Sequence, residues 1–346
     1  MKSDSPLVSS VFREAGFRFA LHYQTISGEE SQKLKPEVRW KKVSDISRSL
    51  RYRTLVEMET SAIALLDQER ENLFYAMKWS HRNAKWELVC QIADNLATYF
   101  NVRSYWPEWI LFAELAIEDA DSAGNLKLKV VALTNLSVVY RQLERWLESI
   151  RCCQEGISLC RQLKDRYGEG LSLGNLAGTF FAQNNLPDSF EHYETALRIF
   201  KKLGELYEQS QCLMGIGNVL AKQKALKEAS FYLESSIKMQ RKITDRFGEA
   251  QALNNLGIVR RMQKRFKEAI MNFQRSLQIK EEIGDQQGMA NSLTNLAIAY
   301  EQSGQIDHAI TTWERSLNLL KEVNFSDYEK ASRRLSKLRL QIKTPN

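Results

Sequence analysis

The side chains able to do covalent or metal chemistry here are four histidines, His22, His81, His192 and His308, and five cysteines, Cys90, Cys152, Cys153, Cys160 and Cys212. None has the spacing of a metal site: there is no HExxH and no CxxC, and no histidine has a cysteine partner at ligand spacing. Each cysteine falls in an apolar helical pattern, which predicts a buried, reduced thiol in a reducing compartment. One string, Gly170-Leu-Ser172-Leu-Gly174, has the form of a nucleophile elbow. An elbow needs a strand-to-helix turn, and this string lies inside a helical pattern with no strand before it. Gly215-Ile-Gly217 lacks the third glycine and the preceding strand of a dinucleotide-binding turn. No Gly-x-x-x-x-Gly-Lys loop occurs. These residues predict no enzyme, no cofactor and no bound metal.

What recurs instead is an amide. The pair Asn-Leu stands at 95–96, 135–136, 175–176, 255–256 and 295–296, and the missing member of the series falls on Gly215-Ile216. The period is 40 residues. Asparagine inside a helix costs about 0.6 kcal/mol against alanine. Five in one column imply that the amide is used, either for a ligand or for a bond to the neighbouring helix.

Other columns keep the same period. Two residues after the asparagine position the side chain is small: Ala97, Ser137, Ala177, Gly217, Gly257, Ala297. Fourteen after it a second small column runs Ser149, Ser189, Ala229, Ala269, Ala309. Each unit holds two amphipathic segments. In 246–285, Ala250, Leu253, Leu256 and Gly257 form one face and Ala269, Ile270, Phe273 and Leu277 the other. Breaks fall at Lys164-Asp165, Asn184-Asn185, Thr244-Asp245, Lys264-Arg265, Gly284-Asp285 and Ser303-Gly304, with Gly168, Gly248 and Gly288 following the aspartates. One such hairpin cannot bury its apolar face alone, so neighbours must stack.

Composition agrees. With 43% hydrophobic residues, 16 Gly and only 5 Pro, the chain has ample core and few turn formers, which predicts a soluble all-α protein. No apolar run is long enough to span a membrane, and the start lacks a signal-peptide core, so a cytoplasmic location is expected. The net charge of +7 is concentrated at the ends: residues 1–53 hold 11 basic and 6 acidic side chains, and 326–346 hold 6 and 2. A nearly neutral body argues against a nucleic-acid interface. The carboxylates of the body read as solvated helix faces with partners such as Glu194 and Arg198.

These columns resemble the tetratricopeptide repeat, in its 40-residue, Asn-Leu-Gly form, over six units spanning 86–325. The resemblance implies a right-handed superhelical solenoid of antiparallel helix pairs whose first helices line a concave groove. It also implies a non-catalytic scaffold that binds a partner peptide or helix there. Asn95, Asn135, Asn175, Asn255 and Asn295 would form a ladder able to donate to and accept from a peptide backbone. Asn218, three residues past the broken rung, shares the face, as do Arg141 and Arg261, with Lys222 one position off the column. An arginine can grip a carboxylate through two parallel bonds. A protein or peptide partner with acidic residues is therefore expected.

The ends depart from the repeat. In 1–85, Leu7 to Tyr23 reads as a helix, 27–42 as a polar loop, and 44–82 as one or two helices. Leu66-Asp-Gln-Glu-Arg-Glu-Asn-Leu-Phe-Tyr-Ala-Met-Lys-Trp79 and Tyr105-Trp106-Pro-Glu-Trp109 resemble the entry to the helical arm of bacterial signal-transducing ATPases. No nucleotide-binding module accompanies them. The resemblance implies a free-standing arm or a piece of a larger protein, and a second possible role as a ligand- or peptide-sensing regulatory arm. Tyr105, Trp106 and Trp109 are open to either a core or a contact role. Residues 326–346 read as a basic capping helix and tail, with Ala331, Leu335, Leu338 and Leu340 turned inward.

Overall fold

A computed structural model of the chain describes residues 6–33, 61–323 and 325–343. Among these residues every regular element is a helix. Helix α1 covers Pro6–Lys33; a helical stretch at 61–68 leads through a turn at Glu69 into α2, Arg70–Arg82. Then follow α3 Trp86–Arg103, α4 Trp106–Ser122, α5 Leu126–Gln142, α6 Trp146–Leu163, α7 Arg166–Ala182 and α8 Leu186–Leu203. The rest are α9 Leu206–Lys222, α10 Leu226–Lys242, α11 Arg246–Met262, α12 Phe266–Ile283, α13 Gln286–Gln302, α14 Ile306–Val323 and α15 Phe325–Lys343. The described residues form two compact units, one ending at Ile199 and one beginning at Phe200. In the first, α1 packs on α2 and α3, and α3 to α7 pack each on the next. In the second, α9 to α15 do the same.

The chain reverses through one device. A residue with positive φ recurs every 20 positions: Ala84, Ser104, Gly124, Glu144, Lys164, Asn184, Gly204, Lys224, Thr244, Lys264, Gly284 and Gly304. The next amide donates back to the carbonyl five residues earlier, as Asp245 N does to Gln240 O at 2.9 Å and Asp285 N to Lys280 O at 3.0 Å. This is a Schellman closure, which satisfies the carbonyls a helix end leaves orphaned. Most of these left-handed positions lack glycine and carry about 1 kcal/mol of strain.

Three first helices start on an aspartate cap. Asp165, Asp245 and Asp285 accept from the backbone N–H of Gly168, Gly248 and Gly288 at 2.9, 2.9 and 2.8 Å. The glycines are explained by the same contact: a Cβ on any of them would run into the capping carboxylate. Replacing Asp285 with alanine is expected to lower stability by about 1 kcal/mol. Urea unfolding at neutral pH measures this; an unchanged midpoint would remove the cap from the account.

The small columns let helices approach closely. Ser149 Oγ donates to Ser137 O at 2.8 Å, and Ser189 Oγ to Ala177 O at 2.8 Å. Gly217 lies under the Leu233 side chain and Gly257 under the Phe273 ring. The five cysteines are free and buried. Desolvation pushes Cys90, Cys153 and Cys160 up to about 11, and Cys152 and Cys212 up to about 12, so all five stay as thiols at neutral pH.

The structure corrects several expectations. Helix α1 does not stop at Tyr23 but runs to Lys33, taking in Ser27–Lys33 of the expected loop. Ser27, Glu30 and Ser31 face inward and are buried, and Glu30 pairs with Lys33, so the polar string is an amphipathic turn. Residues 34–60, with the rest of that loop and the start of the next segment, lie outside the described residues. Not all carboxylates are solvated: Glu169 is buried between Arg161 and Arg166, and Glu249 between Arg241 and Arg246. Glu194 and Arg198 do not pair; Arg198 donates to Thr195 Oγ1 at 3.0 Å. In α15, Ala331, Leu335 and Leu338 are buried against the last repeat, but Leu340 is exposed. Trp109 belongs to the core, stacked on Trp106.

Candidate interaction face

The ladder asparagines all sit half-buried in the middle of first helices: Asn95 on α3, Asn135 on α5, Asn175 on α7, Asn255 on α11 and Asn295 on α13. Asn218 is half-buried on α9. Successive first helices touch one another, α3 with α5 and α5 with α7 in the first unit, α9 with α11 and α11 with α13 in the second. Each unit therefore carries an unbroken row of first-helix side chains.

The amides along these rows divide into two groups. Asn95 Nδ2 donates to Gln24 O and Ser27 Oγ of α1, both at 3.2 Å, and Gly28 lies directly over it. Asn135 Nδ2 donates to Asp94 Oδ1 at 3.0 Å, and Asn295 Nδ2 to Asn254 Oδ1 at 3.2 Å. These three are held inside the protein. The side-chain amides of Asn175, Asn218 and Asn255 have no hydrogen-bond partner among the described residues.

A sequence signal separates the groups. The acceptor for the Asn135 and Asn295 rungs is the residue just before the rung of the preceding unit. Asp94 and Asn254 can accept; Thr134, Gly174 and Met214 occupy the same position in the other units. Thr134 turns its hydroxyl back to donate to Val130 O of its own helix, at 2.8 Å, and accepts nothing from Asn175, and Gly174 and Met214 have no side-chain oxygen to offer. Asp94 and Asn254 stand outside the repeating columns, so periodicity does not point to them; the pairs Asp94-Asn95 and Asn254-Asn255 are the trace they leave.

Arg141 and Arg261 close their helices, both half-buried, and neither has a carboxylate partner among the described residues. Arg141 lies over Gly178, whose missing side chain makes room for the guanidinium, and reaches Asn175 O at 3.5 Å. Arg261 donates to the neutral Gln302 Oε1 at 3.3 Å. Lys222 is exposed at the end of α9. A cleft of about 610 Å³ in the first unit is walled by Asn135, Asp94, Val131, Tyr167 and Leu171. In the second unit a cleft of about 460 Å³ lies among Asn254, Asn295, Ile298, Trp313, Lys330 and Arg334. Both open beside the asparagine rows.

The other candidates for chemistry are placed differently. Ser172 is buried within α7, not at a strand-to-helix turn. His192 stacks on Phe180 and His308 meets the edge of Tyr300. His81 Nδ1 pairs with the buried Asp119 at 2.8 Å, bracing α2 against α4. Among the described residues no group of histidines, cysteines and carboxylates is arranged to hold a metal, and no helix is long and apolar enough to cross a membrane.

A 126-residue stretch is 24% identical to the 43 kDa receptor-associated protein of the synapse from Gallus gallus, covering 35% of this chain. The chain spans less than a third of the length of the curated relatives it matches. Among solved structures, a Rap protein complexed with competence and sporulation factor superposes with a TM-score of 0.56 at 15% identity, covering 96% of this chain and 99% of that one. A signal transduction ATPase with a tetratricopeptide repeat sensor, from Pyrococcus horikoshii, gives a TM-score of 0.55 at 12% identity, over 88% of this chain and 51% of the ATPase. At these identities the likeness is one of fold. The tetratricopeptide repeat model matches residues 129–202, 169–242 and 248–322, more than half of the sequence, and the chain belongs to that family.

Proposed function

We propose that the chain is a non-catalytic protein-interaction scaffold that holds a partner segment on its first-helix rows. The observation that carries this reading is the set of free amides, Asn175 in the first unit and Asn218 and Asn255 in the second. A half-buried amide that bonds nothing inside the protein keeps its donors and its acceptor available to a ligand. An extended peptide offers an N–H and a C=O at each residue, matching an amide that donates and accepts. Arg141, Arg261 and the exposed Lys222 favour a segment with acidic residues. Buried thiols fit a reducing compartment, and we read the protein as cytoplasmic.

The test is affinity capture from the source cell with wild type and with Asn175→Ala, Asn218→Ala and Asn255→Ala combined. Because these amides bond nothing inside the protein, the variant should keep its helical circular dichroism and its melting temperature. Capture of the partner should fall at least tenfold. Equal capture by the two folded proteins would defeat the reading.

A further inference from the structure

The two most exposed large apolar side chains of the second unit, among the described residues, stand at one register of the repeat. Phe231 on α10 is 66% exposed and Met271 on α12 is 67% exposed. They lie one 40-residue period apart, so consecutive second helices carry them side by side. Packing inside the protein does not call for them. The same column runs Leu111, Arg151 and Glu191 before them and Thr311 after, so the repeat tolerates a charged or polar residue there. The Phe231 ring stands perpendicular to that of half-buried Tyr232, with centroids 5.7 Å apart.

Charge surrounds the pair. One turn before them, Lys227 and Lys267 are exposed at matching positions. Lys238 follows Phe231 by seven residues and Arg275 follows Met271 by four, spacings that keep each on its helix's exposed face. None of these four cations meets a carboxylate among the described residues; Arg275 donates to the neutral Gln278 Oε1 at 2.8 Å. The carboxylates nearby are mostly spent. Glu234 is held by Arg260, and Glu268 by Arg260 and Arg265, which leaves Glu228. The face is therefore a cationic frame around two apolar side chains. A second copy of the chain does not suit it, because a symmetric contact would set lysines against lysines. A protein partner suits it less well than a membrane, since three of the four cations are lysine, which protein interfaces deplete and arginine replaces. Lysine lays its stem along apolar surface and keeps its ammonium in water, the arrangement that a bilayer interface rewards.

We propose that the outer face of α10 and α12 docks on an anionic lipid bilayer. Phe231 and Met271 enter the interfacial layer, and Lys227, Lys238, Lys267 and Arg275 meet anionic headgroups. Stable peripheral binding takes two weak signals at once, and this face has an apolar one and a basic one. The proposal goes beyond the scaffold reading. It uses second helices, leaves the first-helix rows to the partner segment, and would bring that partner to a membrane surface.

The experiment floats the full chain with vesicles of about three parts phosphatidylcholine to one part phosphatidylserine, and with phosphatidylcholine alone, at about 0.1 M salt. Wild type should partition at least tenfold more strongly onto the anionic vesicles. Phe231→Ala and Met271→Ala combined should lower that partition at least tenfold. Lys227→Gln and Lys267→Gln combined should do the same and flatten its salt dependence. Leu147→Ala removes a side chain that is 68% exposed in the first unit and should change partition less than twofold. All these positions are exposed, so each variant should keep the wild-type circular dichroism and melting temperature. Equal partition of wild type onto both vesicle types overturns the proposal. So does a loss of less than twofold in the Phe231 and Met271 variant, or an equal loss in Leu147→Ala. Release by millimolar glycerophosphoserine, the headgroup without its chains, would reduce the face to an anion site and overturn the bilayer assignment. Wild-type dimers that the Phe231 and Met271 variant cannot form would assign the face to a second copy instead.

Discussion

Gly257→Val is expected to destabilise the second unit by about 3 kcal/mol, at the upper end of what overpacking a core costs. Gly257 sits in the middle of α11, where glycine is a poor helix former by about 1 kcal/mol against alanine. Propensity alone would make any replacement an improvement. The packing reverses the sign. A Cβ at Gly257 would lie 2.5 Å from the Phe273 ring, and that ring is fully buried with no room to withdraw. Two further methyl groups cannot be placed without moving α12. Gly174 supplies the contrast. It is also mid-helix, with no contact within 4 Å of a Cβ and no positive φ. Gly174→Ala should therefore stabilise by about 1 kcal/mol. Urea unfolding of the two variants against wild type gives both signs. If Gly257→Val is neutral, or Gly174→Ala is as damaging, close approach at Phe273 is not what the small column serves.

Those two glycines also mark how far residue order alone reveals this fold. Both stand in a 40-residue repeat, but only Gly257 lies in the small column, and that column is legible as a periodicity of residue size. The helix pairs are legible for the same reason: each face must be apolar wherever a neighbour stacks on it, so packing leaves its period in the sequence. The turns are legible only in part. Gly284 and Gly304 announce themselves, whereas Glu144 and Lys224 adopt the same positive φ with side chains that give no warning. The full length of α1 is hidden because Ser27 and Glu30 are polar yet buried. The ladder is visible as a column, but its division is not. Whether an asparagine is free depends on the residue 41 positions earlier, which lies on another helix. Asn175 and Asn255 differ from Asn135 and Asn295 only through Thr134 and Met214 in place of Asp94 and Asn254. A column of identical residues records a shared position; their neighbours decide what each one does.

Lys280→Met is expected to stabilise the protein by about 2 kcal/mol at pH 7, with the gain vanishing towards pH 10.5. Lys280 occupies a column filled in other repeats by Cys160, Phe200, Gln240 and Leu320. It is only 4% exposed, and its Nζ donates to Gly288 O and Ser292 Oγ, both at 3.0 Å. No carboxylate is bonded to it. Burial pushes its ammonium from the ordinary 10.5 down to about 8, against a weaker opposing pull from Asp285. The sign follows from proton counting. Between pH 8 and 10.5 the unfolded chain keeps the proton that the folded protein has lost. Stability from this group therefore rises with pH across that window and is lost as pH falls through 8. One pKa unit corresponds to about 1.4 kcal/mol, so the shift bounds the effect at roughly 3 kcal/mol. Methionine fills similar volume without the charge and strands no acceptor: Ser292 Oγ still meets Ser276 Oγ at 3.1 Å, and the Gly288 carbonyl, in the first turn of α13, keeps its intrahelical bond. The buried cysteines pull the other way, because their raised values make the folded protein hold protons that unfolded thiols release above about pH 8.5. That contribution is common to both proteins and cancels in the difference. Unfolding free energies of wild type and Lys280→Met, measured in parallel from neutral pH to about pH 10.5, should start about 2 kcal/mol apart and converge. Curves that stay parallel, or a variant less stable at neutral pH, would mean that the ammonium is stabilised by its two acceptors and carries no net desolvation cost.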